Sequence, residues 1–133
     1  MVTPVDIARA WLNAVNDHDL NRIGTLCSED AISDEVADPP LREGRDQIVE
    51  SYRELFEGFP DSEIEILNIF GDQNQALSEV LWSGTNKGRF RGDPPTNKYV
   101  EIRIAYVFKV EGGKIKKITE YYDGASVASQ MES

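Results

Sequence analysis

The stretch from Tyr99 to Val110 constrains the fold more than any other part of the chain. Val100, Ile102, Ile104, Tyr106, Phe108 and Val110 occupy alternate positions, with Tyr99, Glu101, Arg103, Ala105, Val107 and Lys109 between them. Such an alternation is the pattern of a strand with one face on an apolar core, because successive side chains point to opposite faces. A strand needs neighbours. Gly112-Gly113 supplies a hairpin turn, and Lys114 to Tyr122 reads as the returning strand. Upstream, Glu63 to Phe70 alternates in part, with Ile64, Ile66 and Phe70 on one side, and Gly71-Asp72 begins a turn. Ala76 to Thr85 is a second long strand, and residues 92–98 (GDPPTNK) form a loop before Tyr99.

The first half of the chain carries helical spacing instead. Thr3 and Pro4 make a cap and first turn, Asp6 suits the positive helix end, and Ile7, Trp11, Ala14 and Val15 form an apolar stripe, which places a helix at 4–16. A short helix follows with Leu20, Ile23 and Leu26 inward. A third spans Arg45 to Glu57, with Ile48, Tyr52, Leu55 and Phe56 on one side, and stops at Gly58 with Pro60 beyond. Between the second and third helices, the part from Ala31 starts as a short strand and Asp38-Pro39-Pro40 ends it in a loop. The tail after Gly124 is small and polar. Helices followed by an antiparallel meander define an α+β domain with its helices on one face of the sheet. The mixed face of the Tyr99–Val110 strand then needs cover from a second copy, as a homodimer packed sheet to sheet, or from the chain's own tail.

The 133 residues suit a single domain, 1–133, large enough to bury a core without disulfides or metals. With 24 acidic against 14 basic residues the net charge is -10, which repels phosphate backbones and anionic bilayers and sets nucleic acid and membrane surfaces aside as partners. The single cysteine, Cys27, lies in an apolar stretch and reads as a packing residue of a reducing compartment. The N-terminus lacks a basic segment followed by a long apolar core, so a cytoplasmic protein is the expectation. One His and one Cys do not make a histidine-based zinc site, and His18 sits in a polar turn where a surface or capping role suits it. No Gly-rich phosphate loop, nucleophile elbow or Cys-x-x-Cys is present, and Arg91-Gly92-Asp93 reads as a chance tripeptide.

Several local motifs follow one another in an order that resembles SnoaL-like proteins of the nuclear-transport-factor-2-like superfamily. These are Trp11-Leu12-Asn13-Ala14 with His18-Asp19-Leu20, Glu29-Asp30-Ala31, Gly44-Arg45-Asp46-Gln47-Ile48, Phe59-Pro60-Asp61, Ser83-Gly84-Thr85, Gly92-Asp93-Pro94-Pro95-Thr96, Gly113-Lys114-Ile115 and Tyr122-Asp123. Asn97 departs from the glycine many relatives carry there, a mild change because asparagine tolerates the left-handed conformation. The resemblance implies a cone-shaped fold: three N-terminal helices packed on a curved, mainly antiparallel sheet, with a small-molecule pocket between them. It is a scaffold of cyclases, isomerases, dehydratases, epoxide hydrolases and non-catalytic binding modules.

The isomerase version of that chemistry needs a basic carboxylate, a tyrosine and a protonated aspartate. The resemblance places Glu35, Trp11 and Ala105 at those positions, and neither an indole nor an alanine replaces the lost donors. The cyclase version fits better. It needs an aspartate near the end of the last strand as acid/base in an intramolecular aldol closure, with no metal and no cofactor, and the resemblance gives that role to Asp123. Asp123 also precedes Gly124, so a turn carboxylate is its other reading. Glu35 is the second carboxylate expected in the cavity; a solvated acidic loop with Asp34 and Asp38 is the alternative. Tyr121 shares the Asp123 face if no bulge intervenes, and Trp11, Tyr52 and Tyr121 are expected to shape a pocket for a small apolar ligand. Arg103 either binds a substrate carboxylate or pairs with Glu101 or Glu120.

Overall fold

The computed structural model describes residues 2–132. Helix α1 covers Pro4–Asn16, as its spacing requires, and Thr3 and Asp6 close a reciprocal capping box at its start. Its apolar stripe is wholly buried, from Ile7 through Trp11 and Leu12 to Val15. Helix α2 spans Leu20–Thr25, capped by Asp19. Strand β1 (Cys27–Glu35) and the short β2 (Arg42–Glu43) come before α3 (Arg45–Gly58). The strand expected from Ala31 between the second and third helices is present and begins earlier, at Cys27. The third helix follows a strand that starts at Cys27, because Cys27 and Ala31 have their own seats in the core.

The sheet continues as β3 (Glu63–Gly71), β4 (Gln75–Thr85), β5 (Tyr99–Glu111) and β6 (Lys114–Tyr121), and the chain ends in α4 (Gly124–Met131). The six strands run in the order β2-β1-β6-β5-β4-β3, with β1 and β6 parallel and every other pair antiparallel. The β5–β6 turn uses Gly112 and Gly113 at φ 60° and 77°, the left-handed pair a two-residue hairpin demands. Asn97 adopts φ 61°, so the residue in the glycine position takes up the same conformation.

Helices α1 and α3 cover the inner face of the sheet. The inner residues of β5 (Val100, Ile104, Tyr106, Phe108) meet Ile7, Trp11, Leu12 and Tyr52 in one core. Trp11 sits at its centre, with its ring edge-on to Tyr52 at 5.2 Å, Phe108 at 5.5 Å and Tyr106 at 5.8 Å.

Two bulges alter the faces that alternation assigns. In β3 the register with β4 shifts between Ile66 and Asn68, so Leu67 is the extra residue. Phe70 then pairs with the outward Leu77 and is 55% exposed, instead of sharing the inner side of Ile64 and Ile66. In β6 the partner of Val110 is Ile115 and that of Lys109 is Lys117, so Lys116 is extra. Ile115 and Ile118 are both buried although their positions differ in parity, and Tyr121 turns outward, 52% exposed. One added residue flips every side chain beyond it to the other face.

The tail is not an unstructured polar segment. Asp123 caps α4 through its carboxylate, which accepts from the Ser126 N–H. Helix α4 lies along the part of β5 that β6 is too short to pair. There the Gln130 side chain accepts from the Glu101 N–H at 2.8 Å and donates to the Glu101 carbonyl at 3.0 Å, as a strand neighbour would.

Candidate functional site

The mouth of the cone opens into a cavity of about 420 Å³. Its apolar wall comes from Leu55 and Phe59 of the α3 end, Trp82, Phe90, and Ile102 and Ile104 of β5, and α4 adds Val127, Ala128 and Met131 as a roof. Phe59 holds the wall together by edge-on contacts to Trp82 at 5.1 Å and Phe90 at 5.5 Å.

At the inner end lie two carboxyl groups. Glu35 ends β1 and Glu120 lies near the end of β6, and the parallel register sets them side by side. Both line the cavity. Glu120 is 7% exposed, and the Tyr52 hydroxyl donates to its Oε2 at 3.4 Å. Burial first, and the neighbouring Glu35 second, push the Glu120 carboxyl up to about 8, so it holds its proton at neutral pH. The hydroxyls of Tyr52, Tyr106 and Tyr122 are likewise pushed upward, chiefly by burial and then by the two glutamates. Glu35 Oε2 is buried without a hydrogen-bond partner among the described residues, and its ion pair with Arg42 is long, 3.8 Å. Arg42 is held more closely by Asp38, at 2.7 Å to the carbonyl and 3.2 Å to the carboxylate. Arg91 lies over the Phe90 ring and pairs with Asp38 and Glu54.

The expected site residues separate into two groups. Glu35 and Tyr52 line the cavity. Trp11 is fully buried behind Tyr52 and Tyr106 and supports them without lining the space. Its indole N–H has no partner among the described residues, although the Cys27 thiol is close enough to feel it; burial still pushes that thiol up to about 11. Asp123 is exposed and engaged as the α4 cap, outside the cavity lining. Tyr121 and Arg103 point to the outer face, and Arg103 forms no ion pair with Glu101 or Glu120. The bulge at Lys116 accounts for the β6 misplacement: with it, Ile118, Glu120 and Tyr122 face inward, and Tyr121 and Asp123 do not. The adjacent lysines 116 and 117 were the available signal, because an unbroken strand would turn one of them into the core. His18, expected at a polar turn, does clamp that turn. Its Nε2 meets the Ser62 carbonyl at 2.8 Å and its ring stacks on Phe56 at 4.1 Å.

A curved sheet wrapped around a helix-lined cavity that holds two paired carboxyl groups is the nuclear-transport-factor-2-like fold. The SnoaL-like polyketide cyclase model matches residues 5–131, and the chain belongs to that family. Solved structures of the same fold include a protein assigned to the SnoaL-like polyketide cyclases from Jannaschia sp. CCS1, 19% identical, covering 96% of this chain and 90% of that one at a TM-score of 0.86. An NTF2-like protein from Burkholderia thailandensis E264 is 24% identical over 100% of both chains, with a TM-score of 0.85. A protein of ketosteroid-isomerase-like fold from Catenulispora acidiphila, solved in complex with trimethylamine, is 22% identical over 97% of this chain and 93% of that one, with a TM-score of 0.82. No curated protein is significantly similar to the chain. Among the described residues no helix is long and apolar enough to cross a membrane, and no cluster of three His, Cys, Asp or Glu suits a metal ion.

Proposed function

We propose that the protein is a cofactor-independent acid/base enzyme, a cyclase or isomerase acting on a small apolar carbonyl compound. Glu35 is the base and Glu120 the acid, and Glu120 replaces Asp123 in the role the family resemblance suggested. The observation that carries this reading is the placement of buried Glu120 beside Glu35 in one cavity, where burial raises the Glu120 carboxyl to about 8. Two adjacent carboxyl groups, one of them buried deeply enough to favour its protonated form, can divide into one donor and one acceptor. Glu35 takes the proton from the carbon next to the substrate carbonyl. Glu120, with Tyr52 behind it, delivers a proton to the oxygen on which charge develops, and the apolar wall keeps that charge out of water.

The test is exchange of α-protons into deuterated water, followed by mass spectrometry over a panel of polyketide esters, steroids and smaller ketones. We expect exchange for at least one class, lowered by roughly 100- to 10,000-fold in Glu35→Gln. Asp123→Asn keeps both the helix cap and the exchange rate, since asparagine caps as well as aspartate. Exchange that survives Glu35→Gln and fails in Asp123→Asn would return the chemistry to Asp123.

We also propose that the outer sheet face joins two copies into a homodimer. Phe70 and Tyr121 are exposed beside the half-buried Leu77, Val107 and Ala105, and bulges turned both aromatics to that face. Sedimentation should show a dimer, and Val107→Glu a folded monomer. An unmodified protein that sediments as a monomer at tens of micromolar contradicts it.

A further inference from the structure

The acids of the cavity lining, Glu35, Asp38, Asp93 and Glu120, outnumber its bases, Arg42 and Arg91. Both bases are shared, Arg42 between Asp38 and, at longer range, Glu35, and Arg91 between Asp38 and Glu54. Among the described residues no cation stands at hydrogen-bonding distance from the Glu35–Glu120 pair, since Arg42 is 3.8 Å from Glu35. The other groups facing Glu120 are the hydroxyls of Tyr52 on α3, Tyr106 on β5 and Tyr122 after β6, and α4 contributes no titratable side chain. Glu120 is nine-tenths buried, and Glu35 Oε2 is buried with no hydrogen-bond partner among the described residues. Tyr52, Tyr106 and Tyr122 face them, and Phe59, Trp82 and Phe90 line the same cavity. A paired carboxyl centre whose neighbouring cation, Arg42, is distant and shared with Asp38, in a cavity with aromatic walls, matches a methylated ammonium better than a metal ion. The charge is met by carboxylate and ring faces, and the methyl groups need no hydrogen bonds.

We propose that this cavity binds a small organic ammonium beside the Glu35–Glu120 pair, whose ion pair with Arg42 is long and shared with Asp38, and that binding expels the Glu120 proton. This goes beyond the acid/base reading and does not require it. The two ligand classes differ in sign. A cation favours ionised Glu120, so its affinity rises with pH until Glu120 ionises unaided, near pH 8. A carbonyl compound accepts a hydrogen bond from protonated Glu120, so its affinity falls above that pH.

Isothermal titration with choline and with its neutral isostere 3,3-dimethylbutan-1-ol, from pH 6 to 9 in buffers of different ionisation enthalpy, tests this. Choline stays charged throughout. We expect its dissociation constant to fall about tenfold per pH unit between 6 and 8 and then level, with close to one proton released per choline bound at pH 7. The isostere should bind at least tenfold more weakly at pH 8, and Glu120→Gln should remove the pH dependence. Equal affinity for choline and the isostere, a choline affinity indifferent to pH, or no choline binding at tens of millimolar would each overturn the proposal. A ketone that exchanges its α-proton while choline fails leaves the acid/base reading standing. Choline binding without exchange of any ketone leaves the ammonium site alone.

Discussion

Raising the pH from 5.5 to 8.5 should lower the melting temperature of the protein by about ten degrees, and Glu120→Gln should remove most of that fall. The sign follows from the direction of the shift. Burial raises the Glu120 carboxyl in the folded chain to about 8, from an ordinary value of 4.5. The folded state therefore holds a proton that the unfolded chain has released, and the resulting stability is complete below the unfolded value and disappears as pH rises through 8. Each pH unit in that window costs up to about 1.4 kcal/mol. The sum is several kcal/mol, and each of these moves the midpoint of a domain this size by roughly 3–5 °C. Carboxyls held low by hydrogen bonds, such as Asp61 and Asp72, work in the opposite sense, lost only as pH falls through the acid range, and leave this window clear. Differential scanning calorimetry of both proteins at four pH values is the measurement. A parent whose midpoint is flat from 5.5 to 8.5, or a variant with the same slope, would show that Glu120 ionises freely in the folded chain.

The second large effect falls on Trp11. It is completely buried and edge-on to three aromatic rings, so Trp11→Ala should cost about 3–5 kcal/mol, measured by urea unfolding. Trp11→Phe should cost far less. It keeps an aromatic ring there and removes an indole N–H that is buried without a partner among the described residues. The consequence for the site is indirect. Tyr52 and Tyr106 lean on Trp11 and face Glu120, so the alanine variant should also weaken ligand binding in the cavity even though Trp11 does not line it. If Trp11→Ala unfolds at the parent's urea midpoint, the core is not organised around this residue.

Much of the architecture was legible before any coordinates. The stripe of α1, the alternation of β5, the Gly112-Gly113 turn and the ordered motifs of the family are local signals, because a helix or strand declares its buried face through spacing within a few residues. Tyr52 was legible in the same way, on the inner stripe of a helix, whereas Glu35 was legible only through its match to the family's basic carboxylate. The tail's helix was harder to see. Its sequence is polar and small, and α4 forms where β6 stops short and leaves the Glu101 backbone open to Gln130.

Glu120 was decided elsewhere. Its direction depends on whether β6 carries an extra residue, and that is settled by how β6 aligns on β5 on one side and β1 on the other. A bulge leaves alternation intact on either side of itself and reverses it across the break. The sequence by itself therefore determined that a carboxyl group near the end of the last strand was worth examining. Only the tertiary structure, by inserting Lys116 as an unpaired step, made it Glu120 and not Asp123 that faces Glu35 across the cavity floor.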